Sequence, residues 1–134
     1  MAFSEAEFKR DLVRQLIKEG GYARRLEDRY AVGTLDLLLL TKRYLIYAEA
    51  KLIKGLIALP ARVAQREQIK LFNEVGNPHA RAIIIGLKDR SVGFGLPGGE
   101  YDAHCIMSWP LLAGQTLSDH LNIAVEEIFD KELV

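Results

Sequence analysis

Two segments of the chain carry hydrophobic side chains at helical spacing, with polar residues on the opposite face. The first, residues 4–19, begins with Ser4 and Glu7 spaced as a capping box, and a pair of glycines follows it as a helix end. The second, at about 61–75, starts after a proline and stops at a Gly-Asn-Pro turn. We therefore expect two amphipathic helices that each bury one face.

Apolar runs with the length and composition of β-strands lie around these helices. The strongest runs cover residues 35–41, 44–51 and 81–87, and a shorter, partly exposed strand is expected at 22–30. A strand–helix–strand order favours parallel pairing of the two strands that flank the helix. The sequence thus predicts an α/β fold in which helices flank a mixed β-sheet.

The last third of the chain carries weaker signals. Glycine-rich residues 88–116 predict loops with a short edge strand at 103–109, and residues 119–132 predict an acidic terminal helix. Residues 93–98 match the Gly-x-Gly-x-x-Gly pattern, but the dinucleotide-binding motif leaves a strand and opens a helix directly. Because a proline and further glycines continue this segment, we expect a loop and no nucleotide cofactor.

The composition is that of a single globular domain. With 134 residues, of which 49% are hydrophobic and 27% charged, the chain suits one compact core. Its longest purely aliphatic run, Leu37 to Leu40, is too short to span a membrane. The single Cys105 excludes an internal disulfide and fits a reducing compartment. These features predict a cytoplasmic protein with no membrane partner.

The formal net charge of zero conceals an uneven distribution along the chain. Residues 1–90 contain 17 Lys and Arg against 11 Asp and Glu, whereas residues 91–134 contain one Lys against seven acidic residues. A polyanion such as DNA could bind the basic part. The alternative is a solvated helix face on which neighbouring acids balance the basic residues.

Three charged residues lie in the two predicted strands that form a hairpin: Asp36, Glu49 and Lys51. If the loop between these strands has an even number of residues, Thr41 faces Tyr44 and Asp36 then faces Glu49. Directly opposed residues share a face of the sheet, with Cβ atoms about 4.5–5.5 Å apart. Lys51 lies two residues beyond Glu49 and points to the same face, so the three groups should converge.

Two carboxylates held this close on an apolar sheet need a compensating charge. Mg²⁺ supplies one, since it binds a few carboxylate oxygens and leaves positions for water and substrate phosphate. The ammonium of Lys51 could then orient an attacking water or stabilise charge on a phosphoryl oxygen. A three-residue loop would break this opposition. The simpler alternative is that Asp36 is a turn acid and that Glu49 with Lys51 only forms an ion pair at the strand end.

The spacing of these residues resembles the G-x-x-D…E-x-K core of the PD-(D/E)XK nuclease superfamily. Gly33-Thr34-Leu35-Asp36 supplies the first part, and Glu49-Ala50-Lys51 follows thirteen residues after the aspartate. The resemblance implies a restriction-endonuclease-like core with the element order αβββαβ. It also implies that Asp36 and Glu49 bind Mg²⁺, for which Mn²⁺ can substitute, and that Lys51 assists the hydrolysis of DNA.

Other residues are similar to the VRR-NUC branch of that superfamily, whose fold resembles archaeal Holliday junction resolvases. That branch has an acid at the start of the first helix, a glycine at its end, and a glutamine about eleven residues before another glycine. The matching positions here are Glu5, Gly20, Gln65 and Gly76. The likeness covers residues 4–87 of the single nuclease domain, and residues 88–134 form an extension.

The resemblance implies that Glu5 completes the metal site and that Gln65 contacts a phosphate or a water. Glu7 is the alternative acid, but the capping box accounts for it, whereas Glu5 shares a helical face with the apolar residues. Gln68, one turn from Gln65, is the alternative amide. Both glutamines have a simpler interpretation as exposed polar residues of the helix.

The function implied by the resemblance is a Mg²⁺-dependent DNA endonuclease, with junctions or flaps as candidate substrates, working as a homodimer. Six basic residues are candidate phosphate contacts: Arg10, Arg14, Arg24, Arg25, Lys54 and Arg62. Two other classes stay open. One is a non-catalytic nucleic-acid-binding or assembly module with the nuclease fold, and the other is a structural domain whose acids only form ion pairs.

Overall fold

The computed structural model describes residues 4–26, 34–53, 62–98 and 107–129. In these ranges the chain forms three helices and six strands. Their order is α1 (Glu5–Lys18), β1 (Tyr22–Arg25), β2 (Leu37–Leu40), β3 (Leu45–Leu52), α2 (Val63–Glu74), β4 (Ala80–Lys88), β5 (Ser91–Gly95), β6 (Met107–Ser108) and α3 (Leu117–Phe129). None of the helices in the described ranges is long and apolar enough to cross a membrane.

The strands form one sheet in the order β1-β2-β3-β4-β5-β6. β3 and β4 are parallel, with α2 in the connection between them, and the other neighbouring pairs are antiparallel. The parallel pair confirms what the strand–helix–strand order predicts. The expected fold class, an α/β protein with a mixed sheet flanked by helices, is confirmed as well.

Both faces of the sheet are covered by helices. On one face Phe8, Leu12 and Leu16 of α1 pack together with α3 against the inward side chains of β2 to β5. On the other face Ile69 of α2 packs in a smaller cluster with Ile84 of β4. Central strands buried on both sides read as nearly continuous hydrophobic runs, which is the pattern of β3 and β4.

α1 begins and ends as its sequence predicts. Ser4 Oγ accepts a hydrogen bond from the backbone N–H of Glu7 at 3.1 Å, which caps the first turn. Gly20 has a φ of 88°, the left-handed conformation that ends many helices. A Cβ at Gly21 would lie 2.9 Å from the carbonyl oxygen of Leu40, so this second glycine allows the chain to pass close to β2.

The structure corrects the prediction of a loop in the middle of residues 88–116. Gly93 and Gly95 lie in β5, where they alternate with the buried Val92 and Phe94. Glycine is depleted in strands, so local preference favoured a loop. The burial of the valine and the phenylalanine in the core overrides that preference.

Two element boundaries also differ from the prediction. β1 ends at Arg25, and α3 begins at Leu117, two residues before the predicted start. The predicted strands and the predicted terminal helix also include residues 27–30, 103–106 and 130–132. These residues, Cys105 among them, lie outside the described residues.

α3 is attached to α1 and to the β2–β3 turn by polar contacts. The carboxylate of Glu19, just after α1, accepts hydrogen bonds from the backbone N–H groups of Leu117 and Ser118, both at 2.8 Å. A carboxylate at this position satisfies unpaired N–H groups and lies at the positive end of the helix dipole. At the turn, Arg43 pairs with Glu126 at 2.8 Å. The acidic C-terminal helix therefore packs onto the basic part of the same chain.

Glu19→Ala should destabilise the protein, because it leaves two N–H groups at the start of α3 without their acceptor. We expect the free energy of unfolding, measured by urea denaturation, to fall by about 1–3 kcal/mol. Glu74→Ala removes an exposed glutamate that lies 4.0 Å from Lys70, and this control should cost less than about 0.5 kcal/mol. Equal losses in the two variants would contradict a capping role for Glu19.

Candidate active site

The turn between β2 and β3 sets the geometry of the site. Its central residues, Lys42 and Arg43, are not the ones that two-residue hairpin turns favour. The Thr41 side chain compensates, because its Oγ1 accepts hydrogen bonds from the N–H groups of Arg43 at 3.2 Å and Tyr44 at 3.1 Å. The Thr41 N–H also donates to the Tyr44 carbonyl at 2.9 Å. These contacts close an even-numbered turn.

The pairing of β2 with β3 confirms the predicted register. Leu37 lies opposite Ala48. Asp36 and Glu49 come one residue further from the turn than this pair, so the two acids face one another across the hairpin. The three-residue loop that would have separated them is excluded.

Backbone contacts on both sides hold Asp36 in this position. Its carbonyl oxygen accepts a hydrogen bond from the Leu26 N–H at 2.7 Å, which extends the pairing of β1 with β2. The preceding N–H, that of Leu35, donates to the hydroxyl oxygen of Tyr47 at 2.8 Å. The Tyr47 ring packs against Phe72 of α2, with 5.4 Å between ring centroids. Asp36 is therefore positioned by residues of β1, β3 and α2.

The site contains two acidic and two basic side chains. Lys9 Nζ of α1 lies 2.7 Å from Asp36 Oδ2, and Lys51 Nζ lies 3.7 Å from Glu49 Oε1. The Glu49 side chain is only 1% exposed. A carboxylate this buried is costly without opposite charge nearby. The two lysines supply that charge from opposite ends of the acid pair.

The two carboxyl groups shift each other's pKa values in opposite directions. Burial, the hydrogen bond to Asp36 and the Asp36 charge together raise the pKa of Glu49 to about 8. Burial also acts to raise the pKa of Asp36, but the hydrogen bond with Glu49 and the Lys9 ammonium outweigh it and lower that pKa. Glu49 therefore keeps its proton to a higher pH than Asp36, the behaviour expected of two close carboxyl groups.

The acid pair fits a hard divalent cation. Asp36 Oδ2 and Glu49 Oε2 are buried, and neither accepts a hydrogen bond of good geometry within the described residues. Carboxylate oxygens are the ligands that Mg²⁺ and Mn²⁺ prefer. In the described ranges no group of three His, Cys, Asp or Glu side chains is arranged to hold a metal. A cation here would have two protein ligands and would need water or substrate oxygens for the rest.

Glu5, the predicted third ligand, does not contact the acid pair in this structure. Its Oε1 lies 3.9 Å from Lys9 Nζ, and the same ammonium contacts Asp36. Lys9 thus occupies the place next to Asp36 that the prediction gave to Glu5. Glu7 is exposed, and its backbone N–H takes part in the cap of α1, as expected.

Gln65 is buried, which excludes its interpretation as an exposed helix residue. Its Oε1 accepts a hydrogen bond from the backbone N–H of Arg62 at 3.3 Å and so caps the first turn of α2. This contact does not connect Gln65 to Asp36 or Glu49. Gln68 is half-buried on the same helix.

The candidate phosphate contacts lie on the surface. Arg10 and Arg14 are exposed on α1, and Arg24 and Arg25 are exposed on β1, a strand at the edge of the described sheet. Arg62, at the start of α2, is exposed as well, whereas Lys54 lies outside the described residues.

Sequence reasoning missed two residues that contact the site. The charge pattern does not distinguish Lys9 from the other basic residues, although it lies one turn from Glu5 on a helix predicted to bury one face. Tyr47 was assigned only to a strand, although it alternates with Glu49 and Lys51 and therefore shares their face. These spacings were the available signals.

The mixed sheet with its flanking helices defines a nuclease-like α/β fold. No family model matches the sequence, and no curated protein matches it. Among solved structures the chain is similar to that of Archaeoglobus fulgidus Hjc, a Holliday junction resolvase from an archaeal hyperthermophile, with 25% sequence identity and a TM-score of 0.54. The similarity covers 69% of this chain and 75% of that chain. It supports placement in the PD-(D/E)XK superfamily, whereas the VRR-NUC branch stays a prediction.

The metal-free protein should lose stability as the pH rises, because of Glu49. Its pKa is raised from an ordinary value of 4.5 to about 8 in the folded protein. The proton bound to Glu49 therefore contributes its full stabilisation below pH 4.5, the ordinary pKa. This stabilisation is lost as the pH rises through the folded-state pKa of about 8. The lowered pKa of Asp36 changes the pH dependence of stability only below its ordinary value of 3.8, outside the pH range in which Glu49 acts.

Glu49→Gln cannot ionise and should escape this loss. Scanning calorimetry with a chelator present gives the melting temperature of Glu49→Gln minus that of wild type. We expect this difference to be about 5 °C or more greater at pH 8 than at pH 5. Glu67→Gln, at an exposed position of α2, should show no such change. A difference between Glu49→Gln and wild type that is the same at both pH values would contradict the raised pKa.

Proposed function

We propose that this protein is a divalent-cation-dependent endonuclease that hydrolyses DNA phosphodiester bonds. The observation that carries the proposal is the pair Asp36 and Glu49, opposed across one hairpin, with two buried oxygen atoms that lack a good hydrogen bond. Lys51 beside Glu49 adds the third member of the D…E-x-K set. The similarity to a Holliday junction resolvase supports DNA as the substrate.

Each residue of the set has a distinct role in this proposal. Asp36 and Glu49 would hold Mg²⁺ or Mn²⁺ through their carboxylate oxygens, and the cation would supply Lewis-acid chemistry to the phosphodiester. Lys51 donates hydrogen bonds either to the attacking water, which it orients, or to a phosphoryl oxygen, whose developing charge it stabilises. A water molecule would attack phosphorus and release a proton to solvent, one P–O bond would break, and the leaving oxygen would take up a proton from solvent.

Other residues would support this centre. Glu5 can become a metal ligand only if Lys9 leaves Asp36, since the ammonium now lies beside that carboxylate. Gln65 would act through the start of α2, which it caps. The exposed arginines of α1 and β1 would bind backbone phosphates on either side of the cleaved bond. A homodimer would present two such centres to two DNA strands, as cleavage of a junction requires.

Cleavage assays on supercoiled plasmid, linear duplex and a four-way junction, with Mg²⁺, Mn²⁺ or a chelator, test the proposal. Asp36→Asn and Lys51→Met should each lower the cleavage rate about 100-fold or more, because each removes one charged group of the centre. Asp119→Asn and Lys70→Met make the same chemical changes at exposed positions of α3 and α2 and should keep the wild-type rate.

Cleavage that continues in the chelator, or is undiminished in Asp36→Asn, would contradict the proposal. Absence of cleavage of every substrate with either metal would contradict it as well. If the wild-type protein then still bound the junction tightly, the alternative of a non-catalytic nucleic-acid-binding module would be favoured.

A further inference from the structure

The Lys9 ammonium lies beside an oxygen atom that would be a ligand in the proposed metal site. Its Nζ lies 2.7 Å from Asp36 Oδ2, the buried oxygen that lacks a hydrogen bond of good geometry. Both side chains are largely shielded from water, since the Lys9 side chain is 16% exposed and the Asp36 side chain 24% exposed. Two cations repel strongly at such a short distance in a poorly solvated place. A divalent cation on Asp36 therefore has to displace the Lys9 ammonium.

The charges of the site make the same point. Lys9 and Lys51 carry two positive charges, which match the two negative charges of Asp36 and Glu49 when both are ionised. A divalent cation added to this set leaves two uncompensated positive charges. This excess falls by one charge if Lys9 moves away, and by another if an anion, such as a DNA phosphate, binds beside the cation.

Lys9 has both the reach and a second partner for this movement. Four methylene groups and three rotatable N–H donors let a lysine ammonium change partners without a change in the backbone. Glu5 Oε1 already lies 3.9 Å away, one helical turn earlier. Glu5 can therefore take over the ammonium on the protein side, and a substrate phosphate can do so on the solvent side.

We infer that Lys9 controls the metal affinity of the site. Its ammonium competes with the divalent metal for Asp36 until a nucleic-acid phosphate provides that ammonium with another partner. The inference rests on the proposed function. It gives the free protein a low metal affinity and makes metal and DNA binding mutually reinforcing, since coupling between two ligands is reciprocal.

A different role for Lys9 gives the opposite result. If Lys9 only holds α1 against the hairpin, its removal loosens Asp36 and weakens metal binding. If it competes with the metal, its removal strengthens metal binding even though the metal-free protein becomes less stable. The sign of the change in metal affinity therefore separates the two roles.

The test is a titration with Mn²⁺, in which the free ion is counted by electron paramagnetic resonance. Lys9→Met keeps most of the side-chain volume and removes the charge, so we expect its dissociation constant for Mn²⁺ to be about tenfold or more lower than that of wild type. Lys9→Arg keeps a cation and should stay near wild type. Lys70→Met is the matched control, because Lys70 also pairs with a glutamate one helical turn away, at 4.0 Å.

A second titration is made with a short phosphorothioate DNA duplex present and the binding of Mn²⁺ to the duplex alone subtracted. Wild type should gain more affinity for Mn²⁺ from the duplex than Lys9→Met does. Mn²⁺ binding to Lys9→Met that is equal to or weaker than that to wild type would overturn the inference and leave the proposed metal site standing. If Lys9→Met does not fold, Lys9→Gln replaces it with the same expectation. No binding of Mn²⁺ to any variant would overturn both.

Discussion

The close approach of Asp36 and Glu49 is the constraint on which the rest of the site depends. Two carboxyl groups on a mostly apolar sheet repel unless a proton, an ammonium or a metal lies between or beside them. The hairpin enforces this approach through its register, and Thr41 enforces the register by satisfying the turn. Carboxyl groups with perturbed pKa values cluster at functional sites, which supports the proposed metal centre.

The surrounding elements serve that contact. β1 and Tyr47 hold the backbone of Asp36, α2 supports Tyr47 through Phe72, and α1 brings Lys9 to the acids. The C-terminal helix in turn holds α1 and the hairpin turn through Glu19 and other polar contacts. The extension after residue 88 thus contributes two strands and a helix to the fold that positions the site, although it carries none of the proposed catalytic residues.

The parts of this structure that local rules govern could be predicted from the sequence. The two amphipathic helices, the parallel crossover and the opposition of Asp36 to Glu49 follow from periodicity and from the parity of one turn. Tertiary geometry escaped prediction. The packing of α1 places Lys9 rather than Glu5 beside Asp36, and the burial of Val92 and Phe94 makes a strand of a glycine-rich segment.

Anomalous scattering from a crystal soaked in Mn²⁺ would show directly whether the acid pair binds a metal. We expect an anomalous peak at coordination distance from Asp36 Oδ2 and Glu49 Oε2, with the Lys9 ammonium moved away from Asp36. Asp36→Asn crystals should lack that peak. A peak elsewhere, or no peak, would contradict a metal site at Asp36 and Glu49.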